Sequence, residues 1–197
     1  MANHPLSDDD LAETHAEFGQ ESLLDGLDQL YETYEPSVER WVRRLAGPGA
    51  EVEDLVHDVF LVALRRRHEF RGEAKLSTWL FRITERIVRK RRFRHRLHGL
   101  LNLVFRDSAA ALAPASPTPL EELERRQRCA QLYAALDRLP DKYRTPIILF
   151  DIDGRPAAEV ATLLGIKTNT VWVRVHRARA RLLDDLSAEG RKISHAD

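Results

Sequence analysis

Three groups of side chains in this chain of 197 residues have the types and spacing for specific chemistry. Between Ile166 and Arg181 stand five basic residues and no acid. A solvated helix face normally mixes signs, as in a plain helical bundle, whereas contact with a phosphate backbone favours one sign. Between Arg86 and His98 there are seven Lys/Arg, two His and again no acid. The aromatics Phe70, Trp79, Phe81 and Phe93 are interleaved with these and neighbouring cations. Rings beside cations suit unpaired bases next to neutralised phosphates, although such a run is also what a solvated helix end carries. The third group is acidic: Glu51, Asp54, His57 and Asp58 lie opposite an apolar stripe. Acids in a first helical turn stabilise the helix dipole, which accounts for Glu51 and Glu53 but poorly for Asp58, about a turn further in. An anionic helix face is wrong for DNA and right for a basic protein partner.

Helices must position all three groups. Leu27, Leu30, Tyr31, Tyr34, Val38, Trp41, Val42 and Leu45 keep three-and-four spacing. Pro36 lacks a backbone donor, so two short helices are expected there, the second opening near Pro36. Gly47-Pro48-Gly49 is a breaker. Val52, Leu55, Val56, Val59, Phe60, Ala63 and Leu64 form the next stripe. After the loop from Glu69 to Lys75, Ser77 or Thr78 is the expected cap of a long helix with Leu76, Trp79, Leu80, Ile83 and Ile87 inward. Trp79 therefore reads as core, and Phe70 as the better stacking residue. The pattern dissolves from Gly99, and the AAALAPASPTP stretch (109–119) is poor material for helix or sheet. A further helix runs from about Leu123 to Arg138 with Leu132, Ala135, Leu136 and Leu139 inward, ended by Pro140. Another covers 143–151, and Asp153-Gly154 is a turn.

The stretch from Pro156 to Ile166 reads as a short helix entering a glycine turn, and a second helix follows through Arg179. This is helix-turn-helix grammar: small Ala161 permits a close crossing, and Gly165 suits a left-handed turn. Ile166, Val171, Val175, Ala178 and Leu182 form the inner stripe. Asn169, Thr170, Trp172, Val173, Arg174, His176 and Arg177 face outward. No stretch alternates with period two, so the expected fold is all-α: two small helical domains joined by a Pro/Ala-rich linker.

Composition narrows the function. The 31 Lys+Arg balance 31 Asp+Glu, but residues 1–60 hold 15 acids against 3 bases, and residues 61–110 hold 14 bases against 4 acids. Segregated charge implies two surfaces with different partners. One cysteine excludes a disulfide framework and a multi-cysteine zinc site. No apolar run approaches the ~18–20 residues of a membrane span, and the acidic start is unlike a secretory leader. A cytoplasmic protein without membrane insertion, cofactor or metal is expected. An enzyme such as a recombinase would want a positioned nucleophile or clustered carboxylates beside the cations. The acids here lie away from the basic block, Cys129 has no evident partner, and His95 with His98 among arginines suits a nucleic-acid face better than a metal, so no catalytic residue is expected. A two-domain transcriptional regulator would share the helix-turn-helix but has no need of the acidic face or the aromatic-basic helix.

The segments Glu53–Phe60, Phe70–Glu73 and Thr78–Ile83 resemble region two of bacterial extracytoplasmic-function sigma factors. Leu136–Pro140, the helix-turn-helix and Val175–Arg179 resemble their region four. The resemblance covers about residues 26–186. It implies an acidic extension (1–25), a region-two domain (26–98), a linker (99–122), a region-four domain (123–186) and a tail (187–197). It further implies that Asp54, His57, Asp58 and Phe60 dock on the clamp helices of the large catalytic subunit of core RNA polymerase. Phe70, Arg71, Lys75, Ser77, Thr78, Trp79, Arg82, Arg86, Arg89 and Lys90 would open the −10 promoter element and hold its non-template strand. Lys167, Asn169, Thr170, Trp172, Val173, Arg174, His176, Arg177 and Arg179 would meet the −35 element, with Arg174, Arg177 and Arg179 as phosphate anchors and Asn169, Thr170 and Trp172 as base readers. An anti-sigma partner is implied as well. The family often has Gln-Glu at His57-Asp58, Asn at Arg86, and Lys or Arg at Trp172, where an indole favours thymine methyls or protein contact.

Overall fold

The computed structural model describes residues 27–105 and 120–194. The acidic extension and most of the linker, including the 109–119 stretch, lie outside the described residues. Among the described residues there are seven α-helices and no strand: α1 (Leu27–Ala46), α2 (Val52–Arg65), α3 (Leu76–Phe105), α4 (Leu120–Arg138), α5 (Asp141–Ile147), α6 (Ala157–Leu164) and α7 (Thr168–Ser194). The all-α expectation holds. The described residues divide into two compact units, one of residues 27–42 and 51–87, the other of residues 43–50, 88–105 and 120–194.

In the first unit, α1 is one helix rather than two. Pro36 sits within it on the exposed side, while Leu30, Tyr34, Val38, Trp41 and Val42 are buried on the other. Each such burial contributes about 1.5–3 kcal/mol, and several together offset the roughly 3 kcal/mol that an interior proline costs. Leu55, Val56, Val59, Phe60 and Ala63 of α2 are buried. From α3 the unit buries Leu76, Leu80, Phe81 and Ile83, with the Phe81 ring edge-on to Trp41 at 5.3 Å. Phe81 is therefore core, not an interleaved surface ring, whereas Trp79 and Ile87, both expected inside, are half-buried. Neither Ser77 nor Thr78 caps α3. The helix begins at Leu76, the Trp79 amide already bonds the Lys75 carbonyl, and Thr78 is buried in the first turn. Nor does α3 stop near Gly99; its backbone continues to Phe105.

In the second unit, α4 buries Ala135 and Leu136, and Leu139 just after it is buried too, while Leu132, expected inward, is 37% exposed. The predicted single helix over 143–151 is two pieces: α5 ends at Ile147 and a π-helical turn covers Ile148–Ile152. Pro146 supplies no amide to the helical ladder at this point. The wider turn is closed by the Asp153 amide on the Ile148 carbonyl at 2.8 Å and the Arg155 amide on that of Leu149 at 3.0 Å. Arg144, only 1% exposed, lies among ion pairs. Its Nη1 donates to the Leu45 carbonyl at 2.7 Å and its Nε to Asp137 Oδ1 at 3.1 Å. Arg92 shares that oxygen from Nε at 3.0 Å and reaches Asp141 from Nη1 at 3.2 Å. Burial, with Arg92 nearby, lowers the Arg144 pKa to about 10, leaving it charged at neutral pH.

Two stability predictions follow from these cores. Burial pushes the Tyr34 phenol up to about 12. The unfolded chain releases this proton near pH 10, so the folded form is favoured in full below that pH and loses stability as pH rises through the folded value. Thermal unfolding midpoints should fall over this alkaline interval, and Tyr34→Phe should flatten the fall; an unchanged slope in the variant contradicts the assignment. Gly47 adopts φ +87°, and a Cβ there would lie 2.4 Å from Tyr133 Cδ1, whose hydroxyl donates to the Arg44 carbonyl at 2.9 Å. Gly47→Ala should cost about 1–3 kcal/mol in chemical denaturation. Adding Tyr133→Ala should lessen the clash but not the backbone strain, and a neutral Gly47→Ala would refute this account.

Candidate nucleic-acid interface

The helix-turn-helix is built in the second unit from α6 and α7. The turn between them closes α6 in a Schellman arrangement, with the Gly165 amide on the Thr162 carbonyl at 3.2 Å and the Ile166 amide on that of Ala161 at 3.0 Å. Gly165 takes φ 62° and ψ 40°, the left-handed conformation that glycine allows without a Cβ clash. Ala161 is buried at the crossing. Arg155, also buried, locks the approach through Asp153 at 2.7 Å and Glu159 at 3.3 Å.

Burial of Val171, Val175, Ala178 and Leu182 sets the rotation of α7. Lys167, Asn169, Trp172, Val173, His176, Arg177 and Arg179 are consequently exposed, while Ile166, Thr170 and Arg174 are half-buried. The predicted outer face is thus brought together on one helix, with two qualifications. Arg177 hydrogen-bonds the Tyr143 phenol and holds its pKa below the usual value. Arg179 forks onto Asp151, Nε to Oδ2 at 2.9 Å and Nη2 to Oδ1 at 2.5 Å, and its own pKa rises for that reason. Residues outside the predicted set also gather here. The Phe150 ring meets Trp172 at 5.0 Å, nearly edge-on, and Lys142 and Arg181 lie 5.1 and 4.7 Å from the Tyr143 ring. Phe150 read as one more apolar residue of a helix, and nothing in the spacing pairs it with Trp172.

The other predicted groups lie on α2, on α3 and in the loop before α3. Arg82, Arg86, Arg89 and Lys90 are all exposed along α3, opposite the buried Leu80, Ile83, Thr84 and Val88. In the first unit Phe70 packs on Trp79 at 5.5 Å, both half-buried, beside exposed Arg71 and Lys75; Ser77 is half-buried and Thr78 buried. Arg66 and Glu69 pair just before this loop, lowering the Glu69 pKa. The seven-cation run is not one surface: Phe93 is 61% exposed, yet Arg92 is buried against Asp137 and Asp141. On α2, Asp54, His57 and Asp58 form an exposed row with Glu51 and Glu53, whereas Phe60 is 6% exposed and packs on Tyr31 at 4.7 Å. Cys129 and His95 are exposed, and the side chain of His98 lies outside the described residues.

The described residues thus present three features, each on its own element: exposed cations along α3 with an aromatic pair at its start, a helix-turn-helix with an outer face poor in acids, and an exposed anionic row on α2. Residues 30–98 match the family model for sigma-70 region 2, and residues 129–182 that for sigma-70, region 4. The chain is 31% identical over 172 residues to the ECF RNA polymerase sigma factor SigE of Mycolicibacterium smegmatis, covering 86% of this chain and 65% of that one, so it spans just under two thirds of that relative's length. It is 32% identical over 154 residues to the RNA polymerase sigma factor CnrH of Cupriavidus metallidurans, covering 76% and 81%. Among solved structures, CnrH in complex with the cytosolic domain of CnrY matches with a TM-score of 0.54 at 25% identity, over 90% of this chain and 96% of that one. The sigma factor RpoE of Bartonella quintana, in complex with the anti-sigma factor NepR, matches at 0.51 and 25% identity over 81% and 96%. With both regions present in order and relatives covered at this length, the chain belongs to the extracytoplasmic-function sigma factors of the sigma-70 family.

Proposed function

We propose that this sigma factor joins core RNA polymerase, recognises promoters at their −35 and −10 elements and assists strand opening, acting in the cytoplasm and catalysing no reaction itself. The observation that carries this reading is the separation of charge by helix face: anions exposed on α2, and cations exposed on α3 and α7 opposite buried apolar stripes. Asp54, His57 and Asp58 would dock on the polymerase clamp helices. Phe60, being buried, would shape that ridge from beneath through its packing on Tyr31. The loop from Phe70 to Ser77 and the outer face of α3 would hold the unpaired non-template strand. Unstacking a base costs a few kcal/mol, and stacking on a ring such as Phe70 with phosphate neutralisation by Arg82, Arg86, Arg89 and Lys90 offsets it. Asn169, Thr170 and Trp172 would read −35 base edges while Lys167, Arg174 and Arg177 meet phosphates.

The solved relatives suggest regulation by a protein partner, since CnrH is seen with the cytosolic domain of CnrY and RpoE with an anti-sigma factor. An anti-sigma partner is proposed for this chain on that basis. Among the described residues no helix is long and apolar enough to cross a membrane.

Run-off transcription with purified core polymerase on a promoter library tests the reading directly: the chain should confer promoter-selective initiation. Asp54→Lys with Asp58→Lys should weaken core association at least about tenfold, because two attractions become like-charge repulsions, without weakening binding to naked DNA. Core association that survives this reversal sinks the proposed ridge. On α3, Arg86→Ala and Lys90→Ala should each reduce the salt dependence of single-strand binding by about 0.7 in log–log slope. Slopes equal to the parent's would remove those side chains from the strand path.

A further inference from the structure

We infer that Trp172 is the principal specificity-determining residue of the −35 contact, selecting a thymine by its 5-methyl group, and that Phe150, Asp151 and Arg179 are the positioning residues that hold the indole for that task. This inference rests on the proposed promoter reading and deepens it. Trp172 is the fifth residue of α7, which begins at Thr168. The early turns of a recognition helix are the part that meets base edges in the major groove. The indole is 50% exposed and its neighbour Val173 is 42% exposed. Trp172 and Val173 are neighbouring exposed apolar side chains, and the thymine methyl is the apolar group that the major groove displays. His176 and Arg177 are exposed along the same helix and Lys167 just before it, so this apolar spot sits in a field suited to a polyanion rather than to an apolar protein surface.

An exposed tryptophan on a bare helix would sample several rotamers, and ordering it on binding would cost affinity. Here it is buttressed. Phe150, from the π-helical turn, lies 5.0 Å from the indole at an interplanar angle of 69°. Arg179, two turns along α7 from Trp172, places its guanidinium 5.8 Å from the centre of the Phe150 ring. That guanidinium is fixed by its two-pronged bond to Asp151, the residue after Phe150. The order of support is Asp151 to Arg179, Arg179 to Phe150, and Phe150 to Trp172. The fork also neutralises a carboxylate that would otherwise face the DNA. Arg179 thus serves as a brace and not as a phosphate anchor.

The test uses the full chain with core polymerase and duplexes selected from a library randomised at the −35 element. Each thymine of the selected sequence is replaced singly by deoxyuridine, which removes the methyl and keeps every hydrogen-bonding group. At one position the replacement should weaken binding about fourfold, the effect of one buried methyl-sized group. Trp172→Ala should abolish that difference. Phe150→Ala should shrink it by half or more, and Phe150→Tyr should restore it, a rescue specific to the ring contact. A parent protein indifferent to every thymine methyl overturns the inference, as does a methyl effect that persists in Trp172→Ala. Equal loss on both duplexes in Trp172→Ala also overturns it, pointing to a protein contact. In those outcomes selective binding remains and the sigma reading stands; failure of the parent to select any sequence removes both.

Discussion

Burial of Val171, Val175, Ala178 and Leu182 fixes the rotation of α7, and the set of side chains that the helix-turn-helix exposes depends on that rotation. A helix turned by one residue would move about 100° and carry Trp172, His176 and Arg179 into the core. The same constraint acts on α3, where Leu80, Ile83, Thr84 and Val88 face inward and Arg82, Arg86, Arg89 and Lys90 are left outside. Apolar burial here does more than stabilise. It sorts the ionic side chains into the sets available to a partner and those that are not.

The sorting does not follow composition. Arg92 belongs to the most basic stretch of the chain, yet it is buried and shares the Asp137 carboxylate with Arg144. Removing cations from water is costly unless paired and hydrogen-bonded. Asp137, the Leu45 carbonyl and Asp141 meet most of that requirement, the Nη2 atoms of both arginines being ion-paired without a hydrogen bond, and Asp137 is thereby engaged in the interior of its unit. Arg179 is a milder case, exposed but held by Asp151. A count of basic residues thus overstates the cations that can meet phosphates.

The π-helical turn has an analogous role for shape. Pro146 and the wide turn after it end α5 and bring Phe150 and Asp151 against α7. Continued as a regular helix, this segment would set those two side chains at a different rotation, and the ring contact with Trp172 would be lost. A local backbone irregularity accordingly reaches the outer face of α7.

The sequence alone determined the elements with strong periodicity: the α2 stripe, the inner stripe of α7, the glycine turn at Gly165, and the motifs that mark both sigma regions. These are local properties, set by spacing within one helix or by a single backbone conformation, and so they can be read in one dimension. Tertiary structure decided where local signals conflict or partners are distant in the chain. Pro36 argues for a break, but burial on both sides of it keeps α1 whole. Phe81 alternates with cations in sequence yet packs against Trp41, and Phe60 carries a family motif yet lies beneath Tyr31. The pairing of Arg92 with Asp137, or of Phe150 with Trp172, joins residues from different helices. Such contacts arise only when packing brings the helices together, because side-chain spacing along one helix carries no information about the face another will present.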